Sequence, residues 1–153
     1  MHRIGIISDT HGLLRDEALG CLRGSELIIH AGDIGSAAVI SGLEELGPVK
    51  AIRGNVDRGD WARAFPEHAV IEVAGQRIYV IHNIKELDLD PVAAGFTVVI
   101  SGHSHMPKSQ ELDGVLYVNP GSAGPRRFRL PVAVATLSIA GASVSARIHP
   151  LTI

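Results

Sequence analysis

Seven side chains that can donate to a metal ion occur in five short clusters along the chain. They are Asp9 and His11, Asp33, Asn55, His82, and the pair His103 and His105. The set combines carboxylate, amide and imidazole donors and contains no thiolate. Such a mixture suits Mn, Fe, Ni or Zn, whereas Mg and Ca prefer shells made of oxygen alone. The clusters therefore predict a site for transition-metal ions.

Each cluster follows an apolar stretch that is typical of a β-strand. The stretches cover residues 4–8, 26–30, 49–53, 77–82 and 97–101. Because the ends of neighbouring parallel strands meet at one edge of a sheet, donors that are far apart in sequence can converge there. Glycines inside or just before most of these segments allow sharp turns and close approach of the backbone to an ion. We expect one metal centre built from five loops.

The remaining pattern predicts the elements that position these loops. Helices over 13–23 and 36–46, with Ser36 as the cap, complete a βαβαβ unit and hence a parallel sheet. The second half predicts three antiparallel pairs, with turns at Gly75-Gln76, around Asp113-Gly114 and at residues 140–142. Two sheets packed face to face, with helices outside, account for both halves.

Composition limits the class of protein. The 153 residues predict a single domain over 1–153, and 46% apolar with 4% aromatic residues predicts a core of Ile, Val, Leu and Ala. The net charge of −2 gives no indication of a basic surface that would bind polyanions, so a nucleic-acid partner is not expected. Cys21 is the only cysteine, and no apolar stretch has the length of a signal peptide or membrane span. We expect a cytoplasmic protein without a membrane partner.

The number of donors indicates two ions, because a closed structural zinc site needs four ligands. Two divalent ions lie about 3.5–4 Å apart when a carboxylate bridges them, and they hold hydroxide for in-line attack on phosphorus. The other five ligands, four imidazoles and one amide, are neutral. They reduce the Lewis acidity of the ions less than carboxylate ligands would. With Asp9 and Asp33 as the only anionic ligands, the net positive charge favours a small phosphate ester as substrate.

The motifs resemble the calcineurin-like metallophosphoesterase superfamily, in particular its small prokaryotic phosphodiesterase branch. They are Asp9-Thr10-His11, Gly32-Asp33, Gly54-Asn55, His82, Gly102-His103-Ser104-His105 and Asn119-Pro120-Gly121-Ser122. The resemblance implies an α/β fold, a two-sheet β-sandwich flanked by helices in four layers, α/β/β/α. It also implies two divalent metal ions, with Mn as the leading expectation and Ni, Fe or Zn as alternatives.

The resemblance also implies roles for individual residues. One metal would take Asp9, His11, Asp33 and His105, and the other Asp33, Asn55, His82 and His103, with Asp33 bridging. Asp33, Asn55 and His82 would be the catalytic residues. The family often has a His after the Asn and a second His near the fourth cluster, but this chain has Val56 and Asn83-Ile84 there. The missing acid predicts that aryl esters react much faster than alkyl esters.

The residues and the resemblance leave three functions open. The leading hypothesis is a dinuclear phosphodiesterase in which a metal-bridging hydroxide attacks in line. The alternatives are a phosphomonoesterase acting on nucleotides or sugar phosphates, and a non-catalytic interaction scaffold with the same fold. A subunit of this size would leave its metal site shallow, so a homo-oligomer is a further possibility. The native metal, the physiological ester and the leaving-group acid stay open.

Other polar and aromatic residues carry plainer expectations. A structural role is predicted for His2, His30, His68 and His149, for Asp57 as a helix cap or ion-pair partner, and for Cys21, Trp61 and Phe65 in packing. His30, which precedes Gly32-Asp33, has a second interpretation as a hydrogen-bond partner of a ligand. Ser122 and the arginines 126, 127 and 129 have a second interpretation as contacts to a substrate phosphate, beside solvated surface.

Overall fold

The computed structural model describes residues 1–153 as two five-stranded sheets packed face to face. The strands are β1 (His2–Ile7), β2 (Leu27–His30), β3 (Val49–Ala51), β4 (His68–Val73), β5 (Gln76–Ile81), β6 (Val98–Ile100), β7 (Lys108–Leu112), β8 (Val115–Asn119), β9 (Ala133–Ala140) and β10 (Ser143–Pro150). The helices are α1 (Asp16–Leu22) and α2 (Ala37–Glu44), and 3-10 helices occur at Trp61–Ala64 and Ile84–Glu86.

The first sheet has the order β10-β9-β1-β2-β3, and the second has the order β4-β5-β6-β8-β7. Strands β1, β2 and β3 run parallel, as the βαβαβ pattern predicts. In the second sheet β5, β6 and β8 are parallel, and β4 and β7 are antiparallel edge strands. The C-terminal hairpin joins the first sheet because β9 pairs with β1. The predicted two-sheet fold class is confirmed.

Three layers of apolar side chains hold these elements together. Aliphatic residues such as Ile6, Ile29 and Ile100 fill the space between the sheets. Leu22 of α1 and Leu43 of α2 pack on the outer face of the first sheet. The outer face of the second sheet is covered by residues 83–96, which form a 3-10 helix and turns and no α-helix. No helix in the structure combines the length and apolar character needed to cross a membrane.

Two local predictions are corrected. The β4–β5 turn is formed by Ala74-Gly75 and not by Gly75-Gln76, because Gln76 already pairs with Val73. Both turn residues have positive φ, at 51° and 80°, as a two-residue hairpin of type I′ requires. Ser36 does occupy the N-cap position of α2, but its side chain makes no capping hydrogen bond.

Candidate metal centre

The C-terminal ends of five parallel strands converge where the edges of the two sheets meet. The donors that follow these strands are Asp9 and His11 after β1, Asp33 after β2, Asn55 after β3, His82 after β5, and His103 and His105 after β6. The sequence predicted that the donors follow the C-terminal ends of strands. The packing of the two sheets brings those strand ends together.

Asp9, His11 and His105 form one group of donor atoms that lie within 4.8 Å of one another. The Oδ1 atom of Asp9 lies 3.8 Å from Nε2 of His11 and 3.4 Å from Nε2 of His105. Its other oxygen, Oδ2, accepts hydrogen bonds from the Ser8 hydroxyl at 2.7 Å and from the main-chain amide of His103 at 3.1 Å. The protein therefore fixes the carboxylate through Oδ2 and leaves Oδ1 for the centre.

Asp33, His82 and His103 form a second group with the same spacing. The Oδ2 atom of Asp33 lies 3.1 Å from Nε2 of His82 and 3.8 Å from Nε2 of His11, which belongs to the first group. This carboxylate oxygen therefore faces both groups. Its partner Oδ1 accepts a hydrogen bond from the amide of Val56 at 3.1 Å. A carboxylate in this position suits a bridge between two cations.

Buried atoms without a hydrogen-bond partner indicate that the centre is built for an ion. Oδ1 of Asp9, Nε2 of His11 and Nε2 of His82 are buried and unpartnered. Such atoms are costly in a folded protein unless a ligand satisfies them. His82 also contacts the carbonyl oxygen of Ala31 through Nδ1 at 2.7 Å. A carbonyl only accepts, so Nδ1 carries the proton and Nε2 presents a lone pair, as in metal-binding histidines generally.

Asn55 lies on the exposed loop after β3, immediately beside Asp33. A Cβ atom at Gly54 would overlap the carboxylate of Asp33, and the Val56 amide donates to that carboxylate. The loop on either side of Asn55 is therefore packed against Asp33. Asn55 and His82 line the same cleft, so Asn55 lies at the open side of the centre.

The backbone around the donors is strained. Five of the seven have positive φ, namely Asp9 (55°), His11 (47°), Asp33 (55°), His103 (69°) and His105 (63°). The left-handed conformation costs a residue with a side chain roughly 1–2 kcal/mol. Strain of this kind gathers at functional sites, where surrounding contacts maintain it.

Charge coupling inside the centre shifts two pKa values. Burial raises the pKa of Asp33, but the close contact with the His82 imidazole and the charge of that ring outweigh burial and lower the pKa to about 2. Burial lowers the pKa of His82, but its contacts with Asp33 and Ala31 and the charge of Asp9 raise it above the usual value. Both shifts follow from the short contact between the two side chains.

The sequence did not reveal the residues that fix the donor loops. Asn119 donates through Nδ2 to the carbonyl of Gly102 at 2.9 Å, next to His103. The hydroxyl of Ser122 donates to the carbonyl of Asp9 at 3.0 Å and is buried, so its bond goes to the first loop. The motif 119–122 lies in the connection from β8 of the second sheet to β9 of the first, and the pairing of β8 with β6 and of β9 with β1 brings it beside the metal centre.

Asp57 and His30 also act on loop geometry. Asp57 does not cap a helix or pair with an arginine, because its buried carboxylate accepts from the amides of Ile34, Gly35 and Gly54. His30 accepts from the amide of Gly32 through Nδ1 and so donates through Nε2 to the Thr10 hydroxyl at 3.0 Å. It contacts no donor side chain, so its interpretation as a hydrogen-bond partner of a ligand is wrong.

The other predicted residues lie away from the donors. His2 contacts Glu26, and His149 contacts Thr136. Cys21, Trp61 and Phe65 pack at the helical layer of the first sheet. The arginines 126, 127 and 129 lie on an exposed loop. Asn83 accepts a hydrogen bond from the amide of Lys85 and caps the 3-10 helix that begins at Ile84.

The fold and the donor set together define a hydrolase class that uses divalent metal ions. A family model for the calcineurin-like phosphoesterase superfamily domain matches residues 2–142. The chain belongs to this superfamily. It is therefore a metal-dependent phosphoesterase, as the motifs predicted.

Individual relatives agree with this assignment. The chain is 34% identical to a probable metallophosphoesterase of Methanothermobacter thermautotrophicus, over 95% of this chain and 90% of that protein. The structure of an archaeal phosphodiesterase superposes with a TM-score of 0.79 and 25% identity, over 96% of this chain and 99% of the other. The structure of Vps29 from Chaetomium thermophilum superposes with a TM-score of 0.79 and 17% identity, over 99% of this chain and 97% of the other. At this level of identity the likeness is one of fold alone.

Proposed function

We propose that the protein is a dinuclear phosphodiesterase that hydrolyses a small phosphate ester. The observation that carries the proposal is Oδ2 of Asp33, which lies between the two donor groups at 3.1 Å from His82 and 3.8 Å from His11. One ion would be held by Asp9, His11, Asp33 and His105, and the other by Asp33, Asn55, His82 and His103. We propose Mn first, with Ni, Fe or Zn as alternatives, because nitrogen donors disfavour Mg.

When bound, two divalent ions supply hydroxide at neutral pH and offset the charge that develops on the phosphoryl oxygens. The oxygen of hydroxide bonds to phosphorus while the opposite P–O ester bond breaks, and the alcohol leaves as its anion. The chain's own part is orientation. Asn55 can offer its carbonyl oxygen to an ion while its NH₂ group donates to a phosphoryl oxygen.

No side chain in the position after Asn55 can protonate the departing oxygen, because Val56 occupies it. The departing anion must therefore take its proton from water or leave unprotonated. This supports a preference for esters of acidic alcohols. The seven competent donors favour a catalytic role over that of a non-catalytic scaffold.

Metal replacement tests the proposal. Chelated protein is reloaded with Mn, Ni, Zn, Fe or Mg in turn, and turnover of bis(p-nitrophenyl) phosphate is compared with that of p-nitrophenyl phosphate. We expect two ions per chain, activity with the transition metals, and a higher rate on the diester. A higher rate on the monoester would support the phosphomonoesterase alternative instead.

Substitution gives an independent readout. Asp33→Ala and Asn55→Ala should both abolish turnover while circular dichroism stays that of the folded protein. His105→Ala and His103→Ala should each bind one ion fewer than the wild type, since they belong to different groups. Full activity in the Asp33 and Asn55 variants would refute the assignment.

A further inference from the structure

A cleft of about 470 Å³ opens beside the metal centre, next to Asn55 and His82. It extends along the outer face of β5 to Tyr79 and is bounded by residues 86 and 88 of the segment that follows His82. The unpartnered Nε2 atom of His82, whose side chain is almost completely buried, belongs to the same wall. An ester whose phosphate lies at the metal centre would place one substituent in this cleft.

Three of the charged groups in the cleft, Arg53, Glu67 and Asp57, are already engaged by the protein. The guanidinium of Arg53 donates to the carbonyl of Phe65 at 2.7 Å and pairs with Glu67 at 3.2 Å. The carboxylate of Asp57 accepts three main-chain hydrogen bonds, from residues 34, 35 and 54. None of these three groups is available to balance a charge on a ligand.

The charges that remain are Arg58, Glu86 and Asp88. The arginine–carboxylate pairs of the structure are Arg53–Glu67, Arg63–Asp60 and Arg77–Glu72, and none involves these three residues. Arg58 follows Asn55 on the same loop. Glu86 is the last residue of the 3-10 helix that begins at Ile84, and Asp88 follows that helix. The cleft therefore has one unpaired cation on the loop of Asn55 and two unpaired anions on the segment that follows His82.

Aromatic rings complete the far end. The ring of His68 stacks on Tyr79 with a centroid distance of 5.9 Å. Asp88 lines the same cleft as Tyr79, and burial together with the charge of Asp88 raises the pKa of Tyr79. Tyr79 and His82 are three residues apart, a distance of about 10 Å in the direction of β5. A phosphate esterified to a short amino alcohol spans a comparable length.

We propose that this cleft binds the ammonium-bearing alcohol of a zwitterionic phosphodiester, with the cation between Glu86, Asp88 and the His68–Tyr79 pair. Carboxylates and aromatic faces are the groups that attract organic cations. An ammonium group close to the metal centre would be repelled by the divalent ions. The proposed binding position, at the end of the cleft away from the centre, avoids this repulsion. This inference rests on the proposed function and adds the substrate class to it.

The test compares two esters that share one leaving group. They are p-nitrophenyl phosphorylcholine and p-nitrophenyl 3,3-dimethylbutyl phosphate, in which a tert-butyl group replaces the trimethylammonium group. Both release p-nitrophenolate, so only the charge of the other substituent differs. We expect kcat/KM to be about tenfold higher for the choline ester, the effect of one or two partly exposed charge contacts. Equal values for the two esters would overturn the inference.

A pair of double variants assigns the preference to the cleft. Glu86→Gln with Asp88→Asn should lower kcat/KM for the choline ester and bring the ratio of the two esters close to one. Glu44→Gln with Glu45→Gln removes the same charge from the exposed end of α2 and should keep the tenfold ratio. A loss of preference in both double variants would indicate a general charge effect and contradict the cleft.

Binding without turnover separates this inference from the proposed function. Choline chloride is titrated into isotope-labelled protein, with 3,3-dimethylbutanol as the neutral control. We expect choline alone to shift the amide signals of residues 83–89, and the Glu86→Gln and Asp88→Asn pair to remove the shifts. If neither ester is hydrolysed but choline binds here, the phosphodiesterase assignment fails and the cation site stands. The absence of these shifts overturns the cation site, whatever the activity.

Discussion

The carboxylate of Asp57 accepts a hydrogen bond from the main-chain amide of Ile34 at 3.0 Å, although the two residues lie on different loops. The same carboxylate accepts from Gly54 at 2.8 Å, next to Asn55. One side chain thus fixes the distance between the loop of Asp33 and the loop of Asn55. Its effect on the centre is indirect, because it contacts only main-chain atoms.

Asp57→Asn tests this relationship. An amide NH₂ in place of one oxygen faces main-chain N–H groups, so at least one of the hydrogen bonds is lost. We expect the free energy of unfolding to fall by about 1–3 kcal/mol, and kcat/KM to fall by about ten- to a hundredfold through misplacement. Asp60→Asn, at a side chain that is 97% exposed, is the control and should change neither quantity. Identical behaviour of the two variants in urea unfolding and diester assays would contradict the role of Asp57.

The strained backbone at His103 gives a prediction about stability. His103 has φ of 69°, a conformation that glycine adopts freely and alanine does not. Without metal, His103→Gly should be more stable than His103→Ala by about 1 kcal/mol, and both should lose the same donor and the same activity. Thermal unfolding in chelator measures the difference. A glycine variant that is less stable than the alanine variant would show that strain at this position is absent.

The buried imidazole of His30 predicts a loss of stability in mild acid. Burial lowers its pKa from 6.5 to about 4, against the smaller opposing effects of Asp9 and Asp57. Between these two pH values the unfolded chain binds the proton and the folded chain does not. Stability is therefore complete above about pH 6.5 and falls as the pH drops towards 4, by about 3 kcal/mol in total.

The measurement is urea unfolding at pH 7 and pH 4.5 in chelator, for the wild type and for His30→Gln. The variant lacks the titrating group and should have the smaller difference between the two pH values. Subtracting the pH dependence of the variant from that of the wild type leaves the contribution of His30. The contributions of His82, whose raised pKa acts in the opposite direction, and of Asp33, whose pKa is lowered, are present in both proteins and cancel. Equal pH dependence in both proteins would show that His30 is protonated at no cost in the fold.

Val56 in the position of a general acid predicts steep dependence on the leaving group. We expect aryl diesters to be hydrolysed much faster than alkyl diesters, with the rate falling as the pKa of the alcohol rises. Val56→His should raise the alkyl rate by about tenfold or more, since general acids contribute about 10²–10⁴. Val56→Gln, which offers no acid, is the control. Equal rates of the wild type on aryl and alkyl esters would contradict the missing acid.

Local sequence carries much of the fold. The apolar runs before Asp9, Asp33 and Asn55 predicted parallel strands, and the turn signal at Asp113-Gly114 predicted the β7–β8 hairpin, because strand periodicity and turn propensity involve neighbouring residues only. The turn at Ala74-Gly75 was missed by one residue, since alanine is an uncommon choice for positive φ and gives no turn signal.

What the sequence by itself determined is the chemical type of the seven donors and their position after strands. The tertiary structure decided which strands are neighbours, that β9 lies beside β1, and that Asp57, Asn119 and Ser122 fix the donor loops. Their contacts join residues as far apart as Asp9 and Ser122, so no local spacing records them. The unpaired charges of the cleft also depend on tertiary structure, because Arg53 pairs with Glu67 and Asp57 accepts main-chain hydrogen bonds only in the folded chain.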